Sequence, residues 1–230
     1  MHTIFLSFIL FAGAAISSAL PKPSQLRARG QAAVYTSCTK ANAVALTFDD
    51  GVYQWHKNVS DLLDSYGAKG TFFVNGKNWA CIYDEPYTTY LIESYEAGHQ
   101  IASHTWSHPH LRVMPAFQRP PYGEYSTDVQ DIAGGMDQSL VTWDFDSGDS
   151  DGDSASQSNS LYDGIVKQHP PNLLTLNHET YESTVTQVLP HALEVLTQAG
   201  YDLVTVAECL EMDPYLSIDS PGTRDDSWKC

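Results

Sequence analysis

Hydrophobic residues recur along the chain with two alternating periods. Short apolar runs, often β-branched, predict seven strands, over residues 43–48, 71–74, 100–103, 114–118, 140–143, 173–176 and 203–206. Apolar residues at helical spacing lie between most of these runs, and Gly67, Gly98 and Gly200 stand where helices end. Repeating strand–helix units predict an α/β fold whose parallel sheet is closed or nearly closed into a barrel. An open, doubly wound sheet is the alternative.

One stretch interrupts this pattern. Residues 148–160 are rich in Gly, Ser and Asp and predict a long surface loop, followed by a short helix at Leu161 and Ile165. Earlier, residues 127–130 fit a capping box that opens a helix.

The N-terminal residues predict an exported protein. A largely apolar run over residues 4–16 and a small-residue site at 17–19 predict a signal peptide over residues 1–19. A membrane anchor is the alternative, although the run is shorter than the ~20 residues that a spanning helix needs. Residues 20–34 show no period and predict a linker or pro-segment, so that one domain occupies residues 35–230.

Charge and cysteine content narrow the possible partners. The chain has 28 acidic residues against 12 Lys and Arg, a net charge of −16, which argues against nucleic acid and anionic membranes as partners. Four cysteines in an exported chain predict disulfides, with three possible pairings. Asn58 begins the glycosylation sequon Asn-Val-Ser. We expect a monomer.

Polar residues follow the predicted strands, each within a few residues of a strand's end. They are Asp49 and Asp50 after the first strand, His104 and His108 after the third, Arg119 after the fourth, Asp146 after the fifth and His178 after the sixth. Because the carboxyl ends of parallel strands lie together at one end of the sheet or barrel, these side chains are expected to form one site.

His104 and His108 have the spacing of two metal ligands. On a helical turn, residues four apart lie on the same side, so both imidazoles could bind one ion. Asp50 would complete a set of two histidines and one carboxylate that leaves coordination positions open, as catalytic sites do. Zn²⁺ in this set predicts hydrolysis, whereas Fe²⁺ predicts oxygen chemistry.

Five ordered motifs resemble those of the polysaccharide deacetylases, the NodB-homology domain of carbohydrate esterase family 4, and most strongly its secreted fungal-type chitin deacetylases. The motifs are TFDDG at 47–51, SHTWSH at 103–108, RPPYG at 119–123, WDFD at 143–146 and LTLNH at 174–178. The resemblance implies a deformed (β/α) barrel, a divalent metal, and hydrolysis of N-acetyl groups on chitin or N-acetylglucosamine oligomers. The metal is usually zinc, with cobalt or another divalent ion as alternatives.

The resemblance also implies a separate role for each residue of the site. Asp50, His104 and His108 would hold the metal. Asp49 would be the general base, held by Arg119. His178 would be the general acid, oriented by Asp146.

The resemblance also implies how substrate is held. The Tyr122 backbone N–H would stabilise the oxyanion, and Trp79, Leu176 and Pro121 would form walls of the sugar and acetyl pockets. Ser150 stands where many family members have a tryptophan, which alters a pocket wall.

The gap between His108 and Arg119 is short. It contains ten residues, whereas a parallel crossover needs a dozen or more, so one crossover helix is expected to be missing between strands three and four. Its loss would expose apolar sheet surface and loosen Arg119, which predicts retained metal binding with weak activity and low stability.

Three alternatives to a chitin deacetylase remain open. An acetylxylan or peptidoglycan deacetylase would use the same catalytic residues. A carbohydrate-binding pseudoenzyme is favoured by the short gap, and an iron oxygenase by the histidine pair alone.

Overall fold

The computed structural model describes residues 30–108, 118–220 and 222–230. The predicted signal peptide, most of the predicted linker and most of the fourth strand lie outside the described residues. The strands are β1 (Val34–Tyr35), β2 (Ala43–Ala45), β3 (Thr47–Asp49), β4 (Thr71–Val74), β5 (Gln100–Ser103), β6 (Leu140–Val141), β7 (Phe145–Asp146), β8 (Leu173–His178) and β9 (Asp202–Val204). The α-helices are α1 (His56–Ser65), α2 (Tyr87–Glu96), α3 (Thr127–Gly135), α4 (Ala155–Gln168), α5 (Leu189–Gln198) and α6 (Val206–Leu210).

All pairs among the described strands are parallel, and only an isolated bridge between Lys77 and Cys81 in this part of the chain is antiparallel. The larger sheet has the order β5-β4-β3-β8-β2-β9, with β7 on β8 as well, and β1 pairs with β6 in a second, small sheet. Single-residue bridges from Gln118 to Ser103 and to Leu140 link the two sheets. The result is a curved parallel sheet with helices outside it, which confirms the predicted α/β class, although the described strands do not form a closed ladder.

The first predicted strand is two strands separated at Leu46. β2 lies between β8 and β9, whereas β3 lies between β8 and β4. At the break, the Leu46 carbonyl accepts a hydrogen bond from the Thr71 backbone N–H at 3.0 Å. Residues 43–49 are all buried, which explains why this run shows no alternation of apolar and polar positions.

The core lies mainly between the sheet and the helices. Phe48 and Phe72 from the sheet belong to one buried cluster with Leu63 of α1 and Leu193 and Leu196 of α5. Full burial of apolar side chains of this size contributes about 1.5–3 kcal/mol each. A second cluster contains Ala45, Phe73 and Leu174 together with the Cys38–Cys209 disulfide. These clusters fix the strands whose ends carry the polar residues.

The predicted loop over residues 148–160 is wrong in its second half. Helix α4 begins at Ala155, where Ser154 and Gln157 form a capping box. Tyr162 of this helix is fully buried, and its ring lies 4.7 Å from that of Phe145. The helix therefore covers the sheet and leaves only residues 148–154 as the loop beside the site.

Smaller boundaries also differ from the sequence pattern. Helix α3 is capped by Ser126, one residue before the predicted box. The seventh strand ends at Val204, because Thr205 caps α6. Order begins before residue 35, since Ala32 is buried and its N–H donates to the Gln130 carbonyl at 2.9 Å.

Two disulfides tie the chain together. Cys38 pairs with Cys209, and Cys81 pairs with Cys230 at the C-terminus. Asn58, the predicted glycosylation site, is exposed on α1. Among the described residues, none of the helices has both the length and the apolar character needed to cross a bilayer.

Candidate active site

A cleft of about 520 Å³ opens at the carboxyl ends of β3, β5 and β8. Most of the predicted site residues line it, namely Asp49, Asp50, Trp79, His104, His108, Tyr122, Asp146, Leu176 and His178. Asp49 and His178 are register partners on the neighbouring strands β3 and β8. Arg119 and Pro121 are buried beside the cleft. The site is therefore assembled as the strand-end pattern predicts.

Asp50, His104 and His108 form a cluster of potential metal ligands whose ligand atoms all lie within 4.8 Å of one another. Asp50 Oδ1 lies 3.6 Å from His104 Nε2 and 3.2 Å from His108 Nε2. Two ligands bound at about 2.0–2.1 Å to a tetrahedral zinc ion are about 3.3–3.4 Å apart. The donor set and its spacing therefore fit a zinc-like divalent ion.

The His104 ring is oriented for this role by a backbone carbonyl. Its Nδ1 lies 2.8 Å from the Arg119 carbonyl oxygen, which can only accept, so Nδ1 carries the hydrogen and Nε2 presents a lone pair. Burial lowers the pKa of His104, against the opposing charges of Asp49 and Asp50. A neutral imidazole with Nε2 toward Asp50 is the form that binds a metal.

The two histidines do not lie on a helical turn, as their spacing predicted. The backbone between them is a non-helical bend, with φ of 76° at Thr105 and 51° at His108. The Thr105 hydroxyl oxygen accepts the His108 backbone N–H at 2.9 Å, and the Asn75 side chain donates to the carbonyls of His104 and Thr105. A hydrogen-bonded bend, rather than helix periodicity, brings the imidazoles together.

Asp49 is held by a fully buried arginine. Arg119 Nη1 donates to Asp49 Oδ1 at 2.9 Å and also to the Thr47 hydroxyl, and its Nη2 donates to the Thr142 carbonyl at 2.9 Å. The guanidinium carbon lies 4.3 Å from the centre of the Phe73 ring. Burial lowers the pKa of Arg119, and the nearby Asp49 opposes that change.

These contacts bear on the expectation that the short gap would loosen Arg119. The backbone N–H of Arg119 donates to the Ser103 carbonyl at 3.1 Å, so Arg119 stays attached to β5. Nine of the ten gap residues, 109–117, lie outside the described residues. Within the described residues Arg119 is held in place, and Asp49 Oδ2 faces the metal cluster, 3.6 Å from His104 Nε2.

His178 is oriented by Asp149. The prediction that Asp146 would be its partner is therefore wrong. Asp149 Oδ1 lies 2.8 Å from His178 Nδ1, while Asp146 Oδ1 accepts the Gly148 backbone N–H at 2.9 Å. Gly148, with φ of 73°, turns the chain between the two carboxylates. Asp149 lies just past the WDFD motif, and only its place at the start of the loop could have drawn attention to it.

The pKa values of His178 and Asp146 are both raised, for different physical reasons. Burial lowers the pKa of His178, but the hydrogen bond and charge of Asp149, with the charges of Asp49 and Asp50, outweigh it and raise that pKa to about 9. Burial raises the pKa of Asp146, against the hydrogen bond from Gly148. His178 is therefore the cleft's candidate proton donor.

Aromatic side chains form the cleft walls. Trp79 is half-exposed, with its ring 5.3 Å from that of Tyr53. Tyr122 has φ of 59° in the turn Pro121–Gly123, and its ring meets the His108 ring edge-on at 4.9 Å. Sequence reasoning missed Asn78, Trp143, Asp151 and Tyr181, which also line the cleft. Ser150 lines it as well, at the position where a tryptophan was expected.

Comparisons with known proteins identify the family of this chain. A family model described as polysaccharide deacetylase matches residues 36–118. A chitin deacetylase of Pestalotiopsis sp is 31% identical over 227 residues, which covers 87% of this chain and 74% of that protein. A probable peptidoglycan-N-acetylglucosamine deacetylase of Arthroderma benhamiae is 30% identical over 205 residues, 77% of this chain and 46% of that protein.

A solved structure shows the same fold. The chitin deacetylase from the fungal pathogen Colletotrichum lindemuthianum matches with a TM-score of 0.74 and 26% identity, over 80% of this chain and 94% of that one. The chain belongs to the polysaccharide deacetylase family, and it is a hydrolase of the deacetylase class. The resemblance found in the five sequence motifs is thereby confirmed.

Proposed function

We propose that this chain is a secreted, divalent-metal-dependent deacetylase that hydrolyses the acetamide of N-acetylglucosamine units in chitin or chito-oligosaccharides. Acetate is released and glucosamine units remain. One observation carries the proposal: a metal-ligand cluster lies beside two proton-handling side chains, Asp49 and His178, each with its own buried partner. A site built only to bind sugar would not need these pairings.

Asp50, His104 and His108 would hold the metal ion, zinc above all. When bound, such an ion polarises the acetamide carbonyl and lowers the pKa of a bound water. The cluster uses three protein ligands, which leaves positions open for that purpose.

Asp49 acts as the general base in this proposal. Arg119 occupies its Oδ1, so Oδ2, which faces the cluster, takes the proton from the attacking water. The fully buried Arg119 guanidinium, with Nη1 2.9 Å from Oδ1, fixes the position of the Asp49 carboxylate that this role needs.

His178 supplies the second proton. With its pKa raised to about 9, the ring is protonated at neutral pH and can donate from Nε2, because Nδ1 is directed to Asp149. Breaking the carbon–nitrogen bond leaves an amine that takes this proton. The Tyr122 backbone N–H stabilises the oxyanion formed in between.

The sugar is held by the cleft walls. Trp79 offers an indole face for a pyranose ring, and Leu176 supplies apolar surface near the acetyl methyl group, with Pro121 buried beside it as support for the Tyr122 wall. The two disulfides suit an oxidising compartment, which supports secretion, to the extracellular space or cell wall. We expect the enzyme to act as a monomer.

The choice of substrate is proposed from the polymers named for similar proteins. The Pestalotiopsis and Colletotrichum proteins are chitin deacetylases, whereas the Arthroderma relative, a probable peptidoglycan deacetylase, keeps peptidoglycan as an alternative. Acetate release should be measured from N-acetylglucosamine oligomers, peptidoglycan and acetylxylan side by side. We expect the oligomers to be preferred. Preference for another polymer would correct the substrate, and binding of oligomers without acetate release from any polymer would support a pseudoenzyme.

A further inference from the structure

Glu179, which directly follows His178, is a fully buried carboxylate that the proposed mechanism does not use. Both of its oxygens contact His56 Nδ1, Oε2 at 2.8 Å and Oε1 at 3.0 Å. His56 Nε2 in turn lies 3.0 Å from Ser94 Oγ on α2. A buried carboxylate is tolerated only with such partners, so a reason for keeping it here is needed.

The same carboxylate lies against the turn that follows the metal-ligand Asp50. Glu179 Oε1 accepts the Tyr53 backbone N–H at 3.2 Å. A Cβ added at Gly51 would lie 2.0 Å from Oε1, so the Gly51 backbone is packed directly on Glu179. No other side chain fits at Gly51 without moving the carboxylate. Residues 51–53 are thus packed closely against Glu179.

Asp50 needs external support for its conformation. Its φ of 70° lies in the left-handed region, which is unfavourable for a residue with a side chain and persists only where neighbours enforce it. On one side, the Asn75 backbone N–H donates to the Gly51 carbonyl at 2.6 Å. On the other, Glu179 packs on Gly51 and binds Tyr53. These two anchors hold the backbone that follows Asp50, while Asn78 Nδ2 donates to the Asp50 carboxylate Oδ1 at 3.3 Å.

We propose that Glu179 is a positioning residue that holds Asp50 in its metal-binding conformation and couples that turn to the strand end carrying His178. This inference rests on the proposed metal site. It assigns Glu179 and its partner His56 a role in metal affinity as well as in stability. Neither residue touches the metal cluster or the proposed substrate position.

The test uses the apo form of the whole protein and titrates it with Co²⁺, followed by visible absorption, so that no deacetylase activity is required. Glu179→Ala is expected to bind Co²⁺ about 10- to 100-fold more weakly, the usual loss when a supporting partner of a ligand is removed. Glu179→Gln should restore most of the affinity, because its amide oxygen can still accept the Tyr53 N–H. If Glu179→Ala does not fold, His56→Ala should weaken Co²⁺ binding in the same direction.

Tyr201→Phe serves as the matched control. It removes another hydrogen bond of a buried side chain, from the Tyr201 hydroxyl to the Pro170 carbonyl at 2.7 Å, and neither residue lines the cleft. It should lower the melting temperature with Co²⁺ affinity unchanged. If the Glu179 and His56 variants behave like this control, losing stability with wild-type affinity, Glu179 is structural only and the proposal is wrong. If wild type itself binds no Co²⁺, the proposed metal site fails instead.

Discussion

Asp149 holds His178 through both carboxylate oxygens. Oδ1 lies 2.8 Å from the ring Nδ1, and Oδ2 accepts the backbone N–H of His178 at 2.7 Å and the Thr184 hydroxyl at 2.8 Å. One side chain therefore fixes both the position of the strand end and the orientation of the imidazole. This arrangement explains how His178 can remain protonated in a largely buried place.

The first prediction concerns the pH profile. Asp149→Asn removes the charge that keeps the pKa of His178 near 9, so the basic limb of the kcat/KM profile should move to lower pH by about one unit or more. A bound divalent ion lowers this pKa in both proteins, so the comparison rests on their difference. Asp146→Asn, which removes a carboxylate without a direct bond to His178, is the control and should shift the limb much less. Equal shifts would contradict the special role of Asp149, and a larger shift in Asp146→Asn would return the role to Asp146.

The same pair predicts a pH-dependent stability. The pKa of His178 is raised from 6.5 to about 9 on folding, so its stabilisation is fully present below about pH 6.5 and is lost as pH rises through about 9. The difference in unfolding free energy between wild type and Asp149→Asn should therefore shrink as the pH rises from about 6 to about 10. Urea unfolding at the two pH values measures it. A difference that stays constant would mean that His178 does not titrate in this way.

Asp49→Asn is predicted to separate proton transfer from metal binding. The amide can still accept from Arg119 but cannot take a proton, so turnover should fall about 10²- to 10⁴-fold while bound metal stays stoichiometric. Elemental analysis and acetate release on the same sample measure both. Metal lost from Asp49→Asn but kept by Asp50→Asn would exchange the roles of the two residues.

Arg119 is predicted to be essential to stability. Arg119→Met leaves Asp49 buried without its cation and should cost about 3–5 kcal/mol of unfolding free energy. Arg224→Met is the control, because Arg224 is exposed and donates to the Tyr83 carbonyl at 2.6 Å; its effect should stay within about 0.5 kcal/mol. Similar losses in both variants would contradict the account of Arg119.

Trp79 is predicted to bind sugar without taking part in chemistry. Trp79→Ala should raise KM about tenfold, equivalent to about 1.4 kcal/mol, with kcat nearly unchanged, because a stacking contact is the same before and during reaction. Tyr66→Ala removes an aromatic of similar exposure outside the cleft lining and should leave KM unaltered. A fall in kcat alone in Trp79→Ala would contradict this role.

Much of the fold could be predicted because its strands are short, apolar runs. The errors have physical causes. The break at Leu46 leaves no sign in the sequence, because the residues before it and after it, 43–49, are all buried and mostly apolar. The sequence predicts the helix at Leu161 and Ile165 but a loop over the first turns of α4, because these contain Ser, Gln and Asn in place of apolar residues, although Ser154 and Gln157 carry a capping signal.

The site was predictable where a motif places a side chain at a strand end, as for Asp49 and His178. The site was less predictable where the geometry of a loop decides which side chains come together. Thr105, with φ of 76°, brings the two histidines together without a helix, and the turn at Gly148 delivers Asp149 to His178 in place of Asp146. Such turns depend on tertiary hydrogen bonds, which spacing along the chain does not encode.

The most direct test of the account is metal reconstitution. Wild-type protein stripped of metal should release no acetate from N-acetylglucosamine oligomers and should regain activity in proportion to added Zn²⁺ up to one equivalent. His104→Ala and His108→Ala should neither retain Zn²⁺ nor regain activity. Stoichiometric metal in both histidine variants, or full acetate release by the stripped wild type, would contradict a deacetylase centre built on Asp50, His104 and His108.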